Sequence, residues 1–264
     1  MPDRTALSVN LNKIALLRNQ RDLDLPSVER AARTVLEAGA DGLTVHPRPD
    51  GRHVRPADVE RLARLLAQEA PGREFNVEGN PFAGAEGRYP GFTALVRRAV
   101  EAGGVAQCTL VPDAPGQRTS DHGWDLARDA ERLRPAVAEL KGLGCRVSLF
   151  MDPDPDPMRQ ARDLGADRVE LYTEPYARAW TDGDASASIA RYAEAARAAQ
   201  AAGLGVNAGH DLNLDNLGPF VESVPGVQEV SIGHALTADA LWMGLAAATR
   251  AYRDVLERAA VAHR

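Results

Sequence analysis

Two cysteines, Cys108 and Cys145, are all that the 264 residues contain. Each sits inside an apolar run, where a thiol packs as a small hydrophobe rather than joining a disulfide framework. Lysine is almost absent: Lys13 and Lys141 are the only two among 31 basic residues, set against 37 acidic ones for a net charge of −6. No basic tract stands out, which argues against nucleic acid as a partner but not against a small anionic ligand. No apolar run approaches the ~20 residues of a membrane span, and the N-terminus has no signal-peptide core. The expectation is a cytoplasmic protein that engages neither membrane nor nucleic acid.

What is present suits an ordinary globule. Hydrophobic residues make up 44% and charged residues 26% of the chain, enough for a sizeable core, and the length fits one domain over residues 1–264. Short β-rich runs (ALSVNL, GLTVH, EFNVEG, QCTLVP, CRVSLFMD, RVELYTEP, GVNAGHD and EVSIGHAL) begin near residues 6, 42, 74, 107, 145, 168, 205 and 229. Between them lie stretches of helical periodicity, such as PSVERAARTVLEA from Pro26, ADVERLARLLAQ from Ala57, FTALVRRAVEA from Phe92 and ASIARYAEAARAAQAA from Ala187. Several close on glycine just before the next strand, as a helix C-terminus prefers. Eight such units predict an α/β fold, a TIM (β/α)8 barrel, the structural alternative being a doubly wound open sheet.

RNQRDLDLP, VPDAPGQRTSDHGWDL and MDPDPDP depart from the repeat. Each follows a strand's C-terminal end and is expected at the face where barrels build their sites. The Asp-Pro repeat reads as a rigid connector, with acids near the next helix start.

The polar residues fall in a pattern. Asn10 and Asn12 end the first strand, His46 the second and Glu78 the third; Glu170 and Glu174 lie on or after the sixth; Asn207 and His210 end the seventh, and His234 the eighth. Convergence from so many strands on one mouth predicts an active site. The segment HPRPDGRH, His46 to His53, offers either a solvated turn, a metal site or an anion clamp. Histidines 46, 53, 210 and 234 with Glu78 are metal-ligand types, yet Arg48 and Arg52 put fixed positive charge among them. Guanidinium suits phosphate or carboxylate instead. Gly233 in SIGHAL would let a ligand approach the backbone beside a short helix. Lys13 reads as a simple cation, with a Schiff-base role as the alternative.

The chain resembles the pyridoxine 5′-phosphate synthase family, from SVNLNKIALLRNQR through GADGLTVHPRPDGRHV, FNVEG, TLVPDAPGQRTSDHGWD and VNAGHDL to VSIGHAL. The resemblance implies a TIM (β/α)8 barrel with extra helices, a homo-octamer, and condensation of 1-deoxy-D-xylulose 5-phosphate with 3-amino-2-oxopropyl phosphate, releasing phosphate and water without metal or organic cofactor. It implies His46 and Glu78 as proton acceptors and His210 as proton donor. Asn10, Gly233 and His234 would hold the amino-ketone phosphate, and Arg48, His53 and Thr119 the deoxyxylulose phosphate. Arg21 matches a further site-loop arginine, while Arg52 gains no role and stays a solvated turn residue. Two departures stand out. Many members have N-x-D-H where this chain has Asn10, Leu11, Asn12 and Lys13, and many have glycine at the position of Asp211; Asn12, Lys13 and Asp211 are expected in the substrate site, as either a redistributed set of charges in a family subgroup or a site for an altered substrate. Two other readings are a metal-dependent isomerase or aldolase of a phosphorylated sugar, and a non-catalytic barrel that binds a phosphorylated metabolite.

Overall fold

Helix starts and stops follow from local chemistry. Ser27 caps one helix through its hydroxyl, which accepts the Arg30 N–H at 3.2 Å. Val28, Ala31, Ala32 and Val35 then fall on one buried face, the spacing of a helix that lies on a sheet. Gly39, at φ +103°, takes the left-handed conformation that ends it, and the Ala40 N–H returns to the Val35 carbonyl at 3.0 Å.

The structure, a computed structural model, describes residues 4–262 apart from 115 and 118. In chain order the elements are β1 (Ala6–Asn10), α1 (Asn12–Arg18), α2 (Val28–Glu37), β2 (Gly42–Val45), α3 (Pro56–Glu69), β3 (Glu74–Gly79), β4 (Ala85–Glu86), β5 (Tyr89–Pro90) and α4 (Phe92–Ala102). They continue with β6 (Gln107–Leu110), α5 (Leu126–Gly142), β7 (Arg146–Met151), α6 (Met158–Leu164), β8 (Arg168–Leu171), α7 (Glu174–Thr181) and α8 (Ser186–Ala201). Last come β9 (Gly205–His210), α9 (Leu217–Ser223), β10 (Val227–Ile232), α10 (His234–Met243) and α11 (Leu245–Ala262).

Eight strands close into a parallel barrel in the order β1-β10-β9-β8-β7-β6-β3-β2, and β4 and β5 form a separate antiparallel hairpin. Closure through the β1–β2 pairing rules out the open sheet. The units after β1, β8 and β10 each carry two helices, the extra helices that the resemblance implies. The strand starts fall within two residues of the expected ones, the largest offset being the eighth barrel strand, which begins at Val227. Cys108 and Cys145 are free and buried, and among the described residues no helix is long and apolar enough to cross a membrane.

The strands sort their side chains by face. Leu7, Val9, Leu43, Val45, Phe75 and Val77 join the helix-facing core, while the alternate residues point into the barrel and are polar. Ser8 Oγ lies 2.7 Å from Thr44 Oγ1, Asn76 Nδ2 donates to Thr44, and Thr109 Oγ1 lies 3.1 Å from Asn76 Oδ1, to which it donates, and 3.4 Å from Glu170 Oε2. Thr109 and Glu170 belong to strands that are not neighbours, so this chain of hydrogen bonds crosses the interior. Nearer the strand starts, Arg168 donates to Asn207 at 3.0 Å and to Glu229 at 3.1 Å, and Arg146 donates to Glu74 at 2.6 Å. Branched apolar side chains dominate most barrel interiors of this type; here the interior is a hydrogen-bonded network.

Candidate active site

A cavity of about 430 Å³ opens at the C-terminal ends of the strands. The expected residues Asn10, Asn12, Lys13, His46, Arg48, His53, Glu78, Thr119, His210, Asp211, Gly233 and His234 all line it.

The first two units are stitched together at its floor. Asn10 Oδ1 accepts the Asn12 N–H at 2.9 Å, and Asn12 Oδ1 accepts the His46 N–H at 2.9 Å. Position 12 therefore acts as an acceptor that sets His46, a task an aspartate could perform equally. Gly233 packs against Asn10: a Cβ there would lie 3.0 Å from Asn10 Cβ. Its missing side chain is what allows the end of β10 and the start of α10 to close on β1.

His46 is buried between two carboxylates. Its Nε2 lies 3.0 Å from Asp113 Oδ2 and its Nδ1 lies 3.6 Å from Glu78 Oε2. Burial works against its charge, but the polar contacts with Asp113 and Glu78 outweigh it, and the imidazole holds a proton more tightly than usual. Asp113 also meets Arg48 Nη2 at 2.5 Å. Burial opposes its charge, yet His46 and Arg48 bring its carboxyl down to about 2. Arg48 Nη1 donates to the Gln117 carbonyl at 3.0 Å, tying the loop after β6 to the loop after β2. Burial is the main influence on Arg48 and lowers its pKa.

His53 is the opposite case. Burial first, then the positive charge of His46, Arg48, Lys13 and Arg52, pushes it down to about 3. Its Nδ1 accepts the Val54 N–H at 3.0 Å, so the ring is neutral and presents Nε2–H as a donor. Unfolded, a histidine takes up a proton below about pH 6.5, which folded His53 resists until about 3. Because the unfolded state binds the extra proton, stability falls as pH drops through that window, by about 1 kcal/mol per unit. Urea unfolding of the wild type should lose that much more per unit between pH 6 and 4 than His53→Gln does; parallel pH dependences would refute it.

Glu170, within β8, is buried. Burial and then the nearby Glu78 charge raise its pKa well above the carboxylate range, against a weak opposing bond from Thr109. The shift favours its acid form, which can donate a hydrogen bond into the cavity that it lines. Across the mouth, His210 Nε2 lies 2.7 Å from Thr119 Oγ1 and its Nδ1 2.5 Å from Asp211 Oδ2. Val111 and Phe150, packed with Tyr172 in a small cluster of their own, give the cavity one apolar wall.

The other polar residues singled out in the sequence either sit apart from this cluster or extend it. Asn207 does not end its strand at the mouth; it is the third residue of β9 and bonds to Arg168 in the lower interior. Glu174 begins α7 and pairs with Arg178 four residues on, outside the cavity lining. Arg21 is exposed and is not among the residues that line the cavity. Arg52 is more than a solvated turn residue: it lines the cavity, pairs with Asp50 at 2.6 Å and donates to the Gln117 carbonyl at 2.9 Å. MDPDPDP stays outside the lining, as a connector that leads into α6. Asp113, Ser120, Val111 and Phe150 join the site with no signal in the sequence, whereas Glu170 is among the polar residues that strand order places near the mouth. Among the described residues no three His, Cys, Asp or Glu side chains group as a metal site would.

The chain has relatives among known proteins. The chain is 58% identical over 248 residues to a pyridoxine 5′-phosphate synthase of Albidiferax ferrireducens, covering 94% of this chain and 96% of that one. It is 54% identical over 252 residues to the pyridoxine 5′-phosphate synthase of Xanthomonas axonopodis pv. citri, with 96% of each covered. Among solved structures, tryptophan synthase from M. tuberculosis superposes with a TM-score of 0.65 at 15% identity, over 96% of this chain and 93% of that one. The 3-keto-L-gulonate-6-phosphate decarboxylase of Vibrio cholerae gives 0.62 at 13%, over 97% and 98%; both likenesses concern the fold alone. With the family model matching residues 7–258, the chain belongs to the family of the pyridoxal phosphate biosynthesis protein PdxJ.

Proposed function

We propose that this chain is a pyridoxine 5′-phosphate synthase that condenses 1-deoxy-D-xylulose 5-phosphate with 3-amino-2-oxopropyl phosphate to pyridoxine 5′-phosphate, phosphate and water. The observation that carries the reading is the meeting, around one 430 Å³ cavity, of His46, Glu78 and His210 with the donors Arg48, His53 and Lys13. Ring closure needs several proton transfers on carbon, nitrogen and oxygen, and groups of different basicity supply them. Flanked by carboxylates, His46 is a strengthened base. Glu78 beside it takes protons at a second point, and His210 returns them from the opposite wall. Neutral Glu170 donates to oxygen as negative charge develops there. Neutral His53, Arg48 and Thr119 hold the sugar phosphate; Asn10, the Gly233 backbone and His234 hold the amino-ketone phosphate at the start of α10. Val111 and Phe150 offer the apolar wall that the methyl group of the deoxysugar requires.

The same proposal takes the chain as one barrel domain over residues 1–264, active in the cytoplasm as a homo-octamer. Leu241 and Trp242 on α10 are 70% and 88% exposed, and Leu23 and Leu25 are exposed as well, apolar surface suited to subunit contact. Purified protein given both substrates should release phosphate and form a product with pyridine absorbance. Phosphate release without that product would overturn the assignment.

A further inference from the structure

Position 211 is one of the two places where this chain departs from the pattern it resembles, and the structure gives the departure a partner. The Asp211 carboxylate lines the cavity but is engaged by its own neighbour in the chain. It lies 2.5 Å from Nδ1 of the preceding residue, His210. A carboxylate beside a phosphate would repel it, and the Asp211 backbone N–H is directed to Thr173 Oγ1 at 3.4 Å. Direct binding of an anionic substrate is therefore a poor use of this residue.

The backbone here is built to hold that pair in place. His210 adopts φ +47°, in the left-handed region that non-glycine residues seldom enter and that persists at sites where the surroundings fix it. The surroundings are two buried side chains, Thr173 and Asn216. Thr173 Oγ1 donates to the Gly209 carbonyl and accepts from the Asp211 N–H, so one hydroxyl brackets His210 from both sides. Asn216 Nδ2 donates to the Asp211 carbonyl at 3.4 Å, while its Oδ1 accepts the Asn213 N–H at 2.8 Å.

An ionised carboxylate can only accept, so the hydrogen in the contact belongs to Nδ1 of His210. The other nitrogen, Nε2, faces Thr119 across the cavity at 2.7 Å. We propose that Asp211 is a positioning residue: its carboxylate fixes the Nδ1–H tautomer of His210 and aims Nε2 at the substrate as the nitrogen that exchanges protons. A glycine at 211 cannot do this, having no side chain to accept from Nδ1–H. The kinetic part of the proposal rests on the function proposed above; the tautomer does not.

The two parts are tested separately on the full chain. Magic-angle-spinning 15N NMR of histidine-labelled protein, with His210→Gln to identify the signal, should show Nδ1 protonated in the neutral ring. Asp211→Ala should shift that signal toward the Nε2–H form or a mixture. With both phosphorylated substrates, Asp211→Ala should lower kcat about tenfold to a hundredfold, less than loss of the imidazole itself, with both KM values within about threefold. Asp211→Asn, which keeps an acceptor oxygen of the same size, should recover part of the loss. An unchanged tautomer in Asp211→Ala overturns the positioning role, as does a KM increase of tenfold with kcat intact, which would make Asp211 a binding residue. A wild type that forms no pyridoxine phosphate would sink the functional reading, and the tautomer spectrum alone would then decide the role of Asp211.

Discussion

Replacing Glu78 by Gln is expected to lower kcat by about a hundredfold or more while leaving the barrel folded, with His210→Asn having an effect of the same size. Glu78 is at the end of β3, where a change of one oxygen to an amide disturbs little packing, yet its charge reaches two neighbours. It is one of the two carboxylates that raise His46, and it is the charge that adds to burial in keeping Glu170 protonated. Glu78→Gln therefore removes a proton acceptor, weakens the base beside it and eases the ionisation of the acid across from it. Steady-state kinetics with both substrates, beside thermal unfolding to show that the fold survives, would measure this. Near-normal turnover in both variants would refute the assigned roles.

The second large effect concerns stability. Asp58→Ala is expected to destabilise the protein by about 3–5 kcal/mol, because it strands a buried guanidinium. Arg18, on α1, and Asp58, on α3, are both buried and meet through two hydrogen bonds, of 2.7 and 2.9 Å. Asp58 Oδ2 also accepts the Arg55 N–H at 2.8 Å, capping α3. For a chain of this size that loss corresponds to a fall in Tm of roughly 10 °C. A double replacement, Arg18→Met with Asp58→Leu, should recover much of it, since two apolar groups leave no uncompensated charge. A single Asp58→Ala variant that melts within a degree or two of the wild type would overturn the argument. Arg18 also reaches the His53 carbonyl at 3.3 Å, and Asn19 Nδ2 reaches the same carbonyl at 2.8 Å. The pair thus anchors the loop that carries His53.

The barrel was legible because alternation of strand, helix and glycine is a local signal, repeated eight times. Its register along the chain was readable to within two residues. The mouth was legible for a related reason: in a parallel barrel the last residue of every strand faces the same end, so His46, Glu78 and His210 could be placed together from order alone. Asn207 shows the limit. It has the right strand and the right face, but it lies three residues short of the end, and each residue of a strand is worth about 3.3 Å. Arg21 and Asp113 show another limit. Both are in loops whose path depends on tertiary contacts, and nothing in RNQRDLDLP or VPDAPG tells which charge turns inward. Asp113 does so because Arg48 and His46 meet it there. The inward polar row was visible as period-two spacing in SVN, NVE and VSI, but its meaning depends on knowing which face the helices cover.

That row bears on how the chain avoids folding wrongly. In a barrel lined by Val and Leu, a strand shifted by one residue exchanges one apolar face for another, and the error is cheap. Here the same slip would turn Ser8, Asn76, Thr109 or Glu170 against the helices and leave each without its partner, at about 1–3 kcal/mol per stranded group. It would also bring Val and Leu into the hydrogen-bonded interior. Misalignment is penalised on both faces at once, so each strand carries its own proofreading of the pairing that puts His46, Glu78 and His210 at one height.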